Sequence, residues 1–300
     1  MTSPSVPYIG RFAPTPSGHL HFGSLLAALA SYLDARQQQG QWLVRIEDLD
    51  GPRNKPGAQE LILKALTAHG MQWDGEILVQ SQQQARYQAQ IHDWLDRGVA
   101  YYCDCSRSDL TVHNGIYPGT CRERNLPPAD NHAVRVRVTD EPTVFTDRLQ
   151  GEVVQRLESE VGDFVIRRRD GIIAYQLAVV MDDIAQGVTD IVRGADLLDS
   201  TPRQLWLYRL LQAPRPSYMH LPLMMARRGQ KLSKRVGSAP VEGPQASGSL
   251  FAALNVLAQQ PPWELQNAPV AELIAWGIEH WQPRRLPARR EILHQEDASG

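Results

Sequence analysis

His19 and His21 stand with Gly18 and Gly23 in RFAPTPSGHLHFGS (Arg11 to Ser24), directly before the apolar run LLAALASYL. A Gly/Pro/His-rich turn in that place leaves backbone N–H groups free at the start of a helix, where the helix dipole also favours negative charge. His21 adds a side-chain donor, and Gly18 and Gly23 let a ligand approach the backbone closely. Phosphate is the ligand that suits such a turn. A His19/His21 metal pair fits poorly, because nothing nearby completes a ligand set. A second stretch, ARRGQKLSKR (Ala226 to Arg235), carries five basic residues in ten. Alone it reads as solvated surface. Beside a phosphate-binding turn it gains a role, since lysines on a mobile loop can follow the negative charge that builds on a triphosphate as pyrophosphate leaves.

The cysteines make a third group: Cys103-x-Cys105 and, after fifteen further residues, Cys121. An odd number clustered within nineteen residues argues against a disulfide framework and for a reducing, cytoplasmic setting. Three thiolates at that spacing suggest a structural zinc, which takes four ligands in a tetrahedron. On chemistry alone His113 is the most attractive fourth ligand.

These residues need a scaffold. Pro7 to Phe12 reads as a short strand, Gly23 to Gln37 as a helix, Trp42 to Asp48 as a strand, and Gly57 to Ala68 and Gln80 to Gly98 as helical patterns. The alternation predicts a parallel α/β sheet. From Tyr101 to about Val161 the character changes to cysteines, turns and alternating segments such as VRVRV (Val134 to Val138), the pattern of an inserted antiparallel module. Helix and strand return around Ala174 to Met181. Ser200-Thr201-Pro202 reads as a helix start, with a capping hydroxyl and then proline at the first helical position.

The 300 residues are 42% hydrophobic and 21% charged with a net charge of -2, an ordinary globular composition. No apolar run approaches the ~18 residues needed to span a bilayer. The segment MTSPSVPYIG lacks the basic flank and apolar core of a signal peptide. Near-zero net charge leaves nucleic acid open as a partner, because local patches bind it. Arg135 and Arg137, Arg167 to Arg169, and Arg284, Arg285, Arg289 and Arg290 are groups that could meet an RNA backbone, with no path assigned to them.

HFGS (His21 to Ser24) together with KLSKR (Lys231 to Arg235) resembles the HIGH and KMSKS pair of class I aminoacyl-tRNA synthetases. RFAPTPSG, RIEDLD (Arg45 to Asp50), YYCDC (Tyr101 to Cys105), VIRR (Val165 to Arg168), VVMDD (Val179 to Asp183) and STPRQ (Ser200 to Gln204) resemble the glutamyl branch. The likeness runs through Arg235, and its specificity lies in joint order and spacing. Only about 65 residues follow Arg235, too few for the large helical anticodon-binding region of glutamyl-tRNA synthetases. The chain is therefore most similar to their truncated paralogues, the glutamyl-Q tRNA(Asp) synthetases.

The resemblance implies a Rossmann-type parallel sheet over residues 1–100 and 164–242, an inserted zinc-containing α+β module over 101–163, and a small helical C-terminal subdomain over 243–300. It implies tRNA-independent activation of L-glutamate by ATP, then transfer of the glutamyl group to the queuosine base in the anticodon loop of tRNA(Asp). Arg11, the backbone of Phe12, Ala13, Pro14 and Thr15, Glu47, Tyr175 and Arg193 would form the glutamate pocket. His21, Gly23, Ser24, Lys231 and Lys234 would hold the ATP phosphates, with Mg²⁺. Ser24 departs from the family pattern, giving a hydrogen bond where histidine would bring charge. The family's fourth zinc ligand is a tyrosine four residues before the last cysteine, which selects Tyr117 beside Cys103, Cys105 and Cys121, one zinc per chain. A monomer is implied. Competing readings are a shortened glutamyl-tRNA synthetase charging a 3′ end, a small-molecule nucleotidyltransferase, and a non-catalytic tRNA-binding paralogue.

Overall fold

A computed structural model of the chain describes residues 7–111, 113–227, 230–231 and 245–293. The first half of the parallel sheet is built by β1 (Ile9–Phe12), α1 (Phe22–Gln37), β2 (Gln41–Ile46), α2 (Ala58–Ala68) and β3 (Leu78–Val79), followed by α3 (Gln84–Asp96). Strands β1, β2 and β3 pair in that order, all parallel. The predicted helix over Gln80 to Gly98 opens with a tight 3-10 turn at Gln80–Gln83. α1 is buried on nearly every side from Leu25 to Ala35, packed between the sheet and later helices. An all-round apolar helix is the form such a position demands.

The middle of the chain supplies β4 (Ala100–Cys103), α4 (Arg107–Thr111), β5 (Ala133–Val136), β6 (Pro142–Asp147), β7 (Gly151–Arg156), α5 (Leu157–Glu160) and β8 (Phe164–Arg167). β4, β5 and β8 form an antiparallel sheet, and β6 with β7 a separate hairpin. The alternation in VRVRV does not separate a core face from a solvent face. Val134 and Val136 enter the hydrophobic core, and Arg135 on the other face is buried against the cysteines. Arg135 is therefore an internal residue, and its reading as an RNA-facing cation is corrected.

The sheet resumes with α6 (Tyr175–Ala185), β9 (Asp190–Gly194), α7 (Thr201–Leu210) and β10 (Ser217–Leu221). β9 and β10 are parallel. Thr189 N–H donates to Ile9 O at 2.9 Å, which sets β9 beside β1 and gives the layer order β3-β2-β1-β9-β10. This is the doubly wound arrangement, with its switch point between β1 and β9. The helix start at Ser200 differs from expectation. A 3-10 turn, Ala195–Ser200, runs directly into α7, so Ser200 has helical backbone angles and makes no capping bond. Its hydroxyl instead accepts from Gln176 Nε2 at 3.1 Å, and Pro202 sits at the second helical position.

The remainder comprises β11 (Leu223–Arg227), β12 (Gln230–Lys231), α8 (Ala246–Val256), α9 (Val270–His280) and β13 (Glu291–Leu293). α8 and α9 pack on α1, and Gly277 lets α9 approach Leu33 closely. No helix among the described residues is long and apolar enough to cross a membrane.

Gly40 marks the tightest approach beside the sheet. A Cβ there would lie 2.4 Å from the Tyr8 carbonyl oxygen, which accepts from Gln41 N–H at 2.9 Å and starts the β1–β2 ladder. Gly40→Ala is expected to cost about 3 kcal/mol, because the atom it meets is backbone and cannot rotate away. Urea denaturation of the two proteins, with the same slope and a lower midpoint for the variant, is the check.

Candidate active site and thiol cluster

Arg11 lies on β1, Glu47 follows β2, Arg193 lies on β9, and Tyr175 opens α6, so the fold brings four distant residues to the carboxyl ends of adjacent strands. That crevice at the switch point is where open α/β sheets bind ligands. The turn Phe12 to Thr15 closes one side, tied by Glu47 N–H donating to Pro14 O at 3.0 Å.

The two arginines are held differently. Arg11 Nε donates to Asp183 Oδ1 at 3.1 Å, and both side chains are buried. Arg45 Nη1 meets the same carboxylate at 2.8 Å, and Arg45 Nη2 lies 3.4 Å from Glu47 Oε1. Burial penalises the Asp183 charge, yet the Arg11 and Arg45 cations hold its carboxyl below the ordinary carboxylate range. Glu47 shifts the other way. Its burial outweighs the attraction of Arg45 and Arg11 and raises its carboxyl. Burial, then the charge of Glu47, likewise raises the Tyr175 phenol. Beneath them Asp182 gathers Arg86, Tyr87 and Gln80, a buried anchor under the floor.

Arg193 has neutral partners throughout the described residues. Nε donates to His220 Nε2 at 3.0 Å, and Nη2 to Thr201 Oγ1 at 2.9 Å and Gln204 Oε1 at 2.7 Å. Nη1 is buried with no partner. Leaving a buried cation without a counter-ion costs several kcal/mol. An incoming carboxylate answers it.

At the mouth of the crevice, His21 precedes α1, and His21, Gly23 and Ser24 are exposed. No side chain caps this helix end and no acidic residue lies in its first turn. The arrangement suits an anionic ligand. Lys231 lies in β12, and Lys234 falls outside the described residues.

The thiol cluster lies apart. The Sγ atoms of Cys103, Cys105 and Cys121 all fall within 4.8 Å of one another. Tyr117 is buried, its hydroxyl 3.6 Å from Cys103 Sγ while accepting Cys121 N–H at 2.8 Å. His113 is exposed and outside this group. Arg135 Nε donates to Cys103 Sγ at 3.2 Å, and its guanidinium stacks 3.8 Å from the Tyr117 ring. Burial opposes a Cys103 thiolate, but the Tyr117 and Arg135 donors bring that thiol below its ordinary value. Cys105 is pushed up to about 12 by burial and its cysteine neighbours. A three-sulfur donor set of this kind, with Cys103 and Cys121 buried and Cys105 partly so, fits a metal ion that prefers thiolate.

Residues 9–250 match the family described as tRNA synthetases class I (E and Q), catalytic domain. A glutamyl-Q tRNA(Asp) synthetase from Ectopseudomonas mendocina (strain ymp) is 57% identical over 96% of this chain and 98% of its own length. One from Pseudomonas aeruginosa PAO1 is 55% identical over 93% of this chain and 95% of its own. The chain belongs to the glutamyl-Q tRNA(Asp) synthetase family.

The fold agrees. A glutamate tRNA ligase from Elizabethkingia meningosepticum CCUG26117, solved with its amino acid, superposes with a TM-score of 0.79 over 95% of this chain. Identity is 23%, and this chain spans 66% of that one. The likeness of RIEDLD and VVMDD to the glutamyl branch gives Arg45, Asp182 and Asp183 no place in the site. The available signal was two adjacent carboxylates in an otherwise apolar helix, which require buried cations. His220 and Asp147 carried no such signal.

Proposed function

We propose that this protein activates L-glutamate with ATP in the absence of tRNA, then transfers the glutamyl group to the queuosine base in the anticodon loop of tRNA(Asp). The observation that carries the pocket is Arg193 Nη1, a buried cationic donor at the head of the crevice with no partner among the described residues. Arg193 and Arg11 receive the carboxylates of glutamate, Glu47 its ammonium, and Tyr175 and the backbone of Phe12, Ala13, Pro14 and Thr15 fix its orientation. His21, Gly23, Ser24, Lys231 and Lys234 hold the ATP phosphates.

The glutamate carboxylate attacks the α-phosphorus in line. The P–O bond to the β-phosphate breaks, giving glutamyl-adenylate and pyrophosphate. No protein nucleophile is required, so catalysis rests on positioning and charge stabilisation. Mg²⁺ accompanies the nucleotide and neutralises its charge. A structural zinc is held by Cys103, Cys105 and Cys121, with the Tyr117 oxygen fourth. The protein works as a monomer in the cytoplasm.

The test is transfer of labelled glutamate to tRNA(Asp) with and without queuosine, beside tRNA(Glu), with a tRNA-free pyrophosphate-exchange control. Label confined to queuosine-containing tRNA(Asp) is the expected result. Label on the 3′ end of tRNA(Glu) overturns the acceptor, and absence of glutamate-dependent exchange overturns the activation. Glu47→Gln removes the ammonium's counter-charge and leaves the amide against Arg45. It is expected to raise the glutamate KM by about 30-fold, the equivalent of ~2 kcal/mol for a charge-assisted bond, with the ATP KM little changed.

A further inference from the structure

We propose that Asp147 and His220 position Arg193 for the substrate carboxylate, by holding the imidazole in the one tautomer that accepts from the guanidinium. The inference rests on the reading of the crevice as a glutamate pocket and adds two residues that do not touch the substrate.

The hydrogen bonds that run from Asp147 through His220 to Arg193 each have a direction set by their partners. Asp147, at the end of β6, turns Oδ1 to three backbone donors: Leu149 N at 3.0 Å, Gln150 N at 2.9 Å and His220 N at 3.2 Å. Oδ2 remains for His220 Nδ1, 2.6 Å away. Burial opposes the Asp147 charge, yet His220 and these N–H donors hold the group below the ordinary carboxylate range, so it only accepts. Nδ1 must then carry the proton. In a neutral ring Nε2 is left as a lone pair, and Arg193 Nε donates into it at 3.0 Å. Thr201 Oγ1 accepts from Arg193 Nη2 and has two acceptors in reach of its own hydrogen, His220 Nε2 at 3.2 Å and Leu197 O at 3.3 Å, both compatible with an unprotonated Nε2.

The ring is kept neutral by its surroundings. His220 is fully buried, and burial with the nearby Arg193 cation brings its pKa down to about 4 despite Asp147. Tyr218 stacks on the imidazole at 5.9 Å and 7°, and the Arg193 guanidinium lies 5.4 Å from the Tyr218 ring. Arg193 is thus fixed along its Nε and Nη2 edge, and Nη1 is left for the substrate. Presentation of Nη1 to a carboxylate oxygen depends on that orientation.

Asp147→Asn discriminates positioning from bulk. The backbone N–H groups on Oδ1 require the amide oxygen there, so the amide NH₂ faces His220 Nδ1 and donates. The ring must then carry its proton on Nε2, pointing at the Arg193 Nε–H, and the fork is displaced. In tRNA-free pyrophosphate exchange, the glutamate KM is expected to rise at least about 30-fold while the ATP KM stays within about twofold, the pattern of a misplaced binding group. His220→Gln keeps an acceptor towards Arg193 and should stay within about fivefold of the parent, whereas His220→Leu should match Asp147→Asn.

A folded Asp147→Asn protein whose glutamate KM is unchanged overturns the proposal. If that variant does not fold, nitrogen NMR of the parent decides. Neutral His220 with its proton on Nδ1 at pH 7 is expected, and an Nε2–H tautomer or an imidazolium refutes the arrangement. A parent protein lacking glutamate-dependent exchange would instead remove the glutamate-pocket reading, while the tautomer measurement still judges the hydrogen-bond chain.

Discussion

Arg193→Leu lowers kcat/KM for glutamate in pyrophosphate exchange by about a thousandfold, roughly 4 kcal/mol, the scale of removing one partner from a desolvated charge pair. The physical reason lies in what faces Arg193. Among the described residues its partners are His220, Thr201, Gln204 and the Leu197 carbonyl, all neutral, and Nη1 has none. The substrate carboxylate is its direct counter-ion, so the loss falls on substrate and little on other ion pairs. Arg193→Lys keeps the charge, but a single ammonium cannot meet His220, Gln204 and a carboxylate from one plane, and it recovers about tenfold of the loss. Steady-state exchange kinetics with glutamate varied at saturating ATP provide the measurement. A loss below about tenfold for the folded leucine variant contradicts the pocket assignment. Glutamine as an alternative substrate identifies the carboxylate: relative relief with glutamine assigns Arg193 to the side-chain carboxylate, and equal loss assigns it to the α-carboxylate.

The second large effect concerns the thiol cluster. Removal of the metal, by a strong chelator or by Cys105→Ser with Cys121→Ser, is expected to lower the thermal midpoint by more than about 10 °C. Binding free energies of structural zinc sites reach on the order of 10 kcal/mol, and that energy is folding energy. The small apolar cluster of Tyr101, Cys103, Tyr117 and Cys121 is separate from the main cores, so a bound ion would add a tie among residues 103–121 that little apolar packing supplies. Amide exchange should show loss of protection there first. The parent protein is expected to carry one zinc per chain by elemental analysis. A metal-free protein with an unaltered midpoint after chelation makes the group a packed thiol cluster.

Local signals carried much of this molecule. The apolar helix after the Gly/Pro turn, the strands on either side and the cysteine spacing are read from contiguous residues, because periodicity and turn chemistry act over a few positions. Other features depend on what packs from elsewhere. Arg135 alternates with valines as a surface residue does, yet the cysteine module covers its face and turns it inward. Ser200 looks like a cap, but the preceding 3-10 turn already supplies helical geometry. Asp147 and His220 lie 73 residues apart, in a hairpin and a sheet strand. No spacing rule joins them. The roles of Lys231 and Lys234 rest on motif likeness, with Lys234 outside the described residues.

The position of β1 has a consequence for how the chain assembles on the ribosome. Ile9 meets Thr189, which follows 180 residues later. At ~5–20 residues per second, roughly 10–40 s separate their synthesis. Throughout that interval β1 has a neighbour on one side only, and α1 waits longer still for α8 and α9. The segment holding the cysteines is complete before β9 exists. The insertion therefore has the means to fold first, and the sheet that carries the active crevice closes late, through contacts distant in sequence and correspondingly slow. A nascent chain stalled before residue 189 presents an open parallel edge, the surface most prone to pair with another chain.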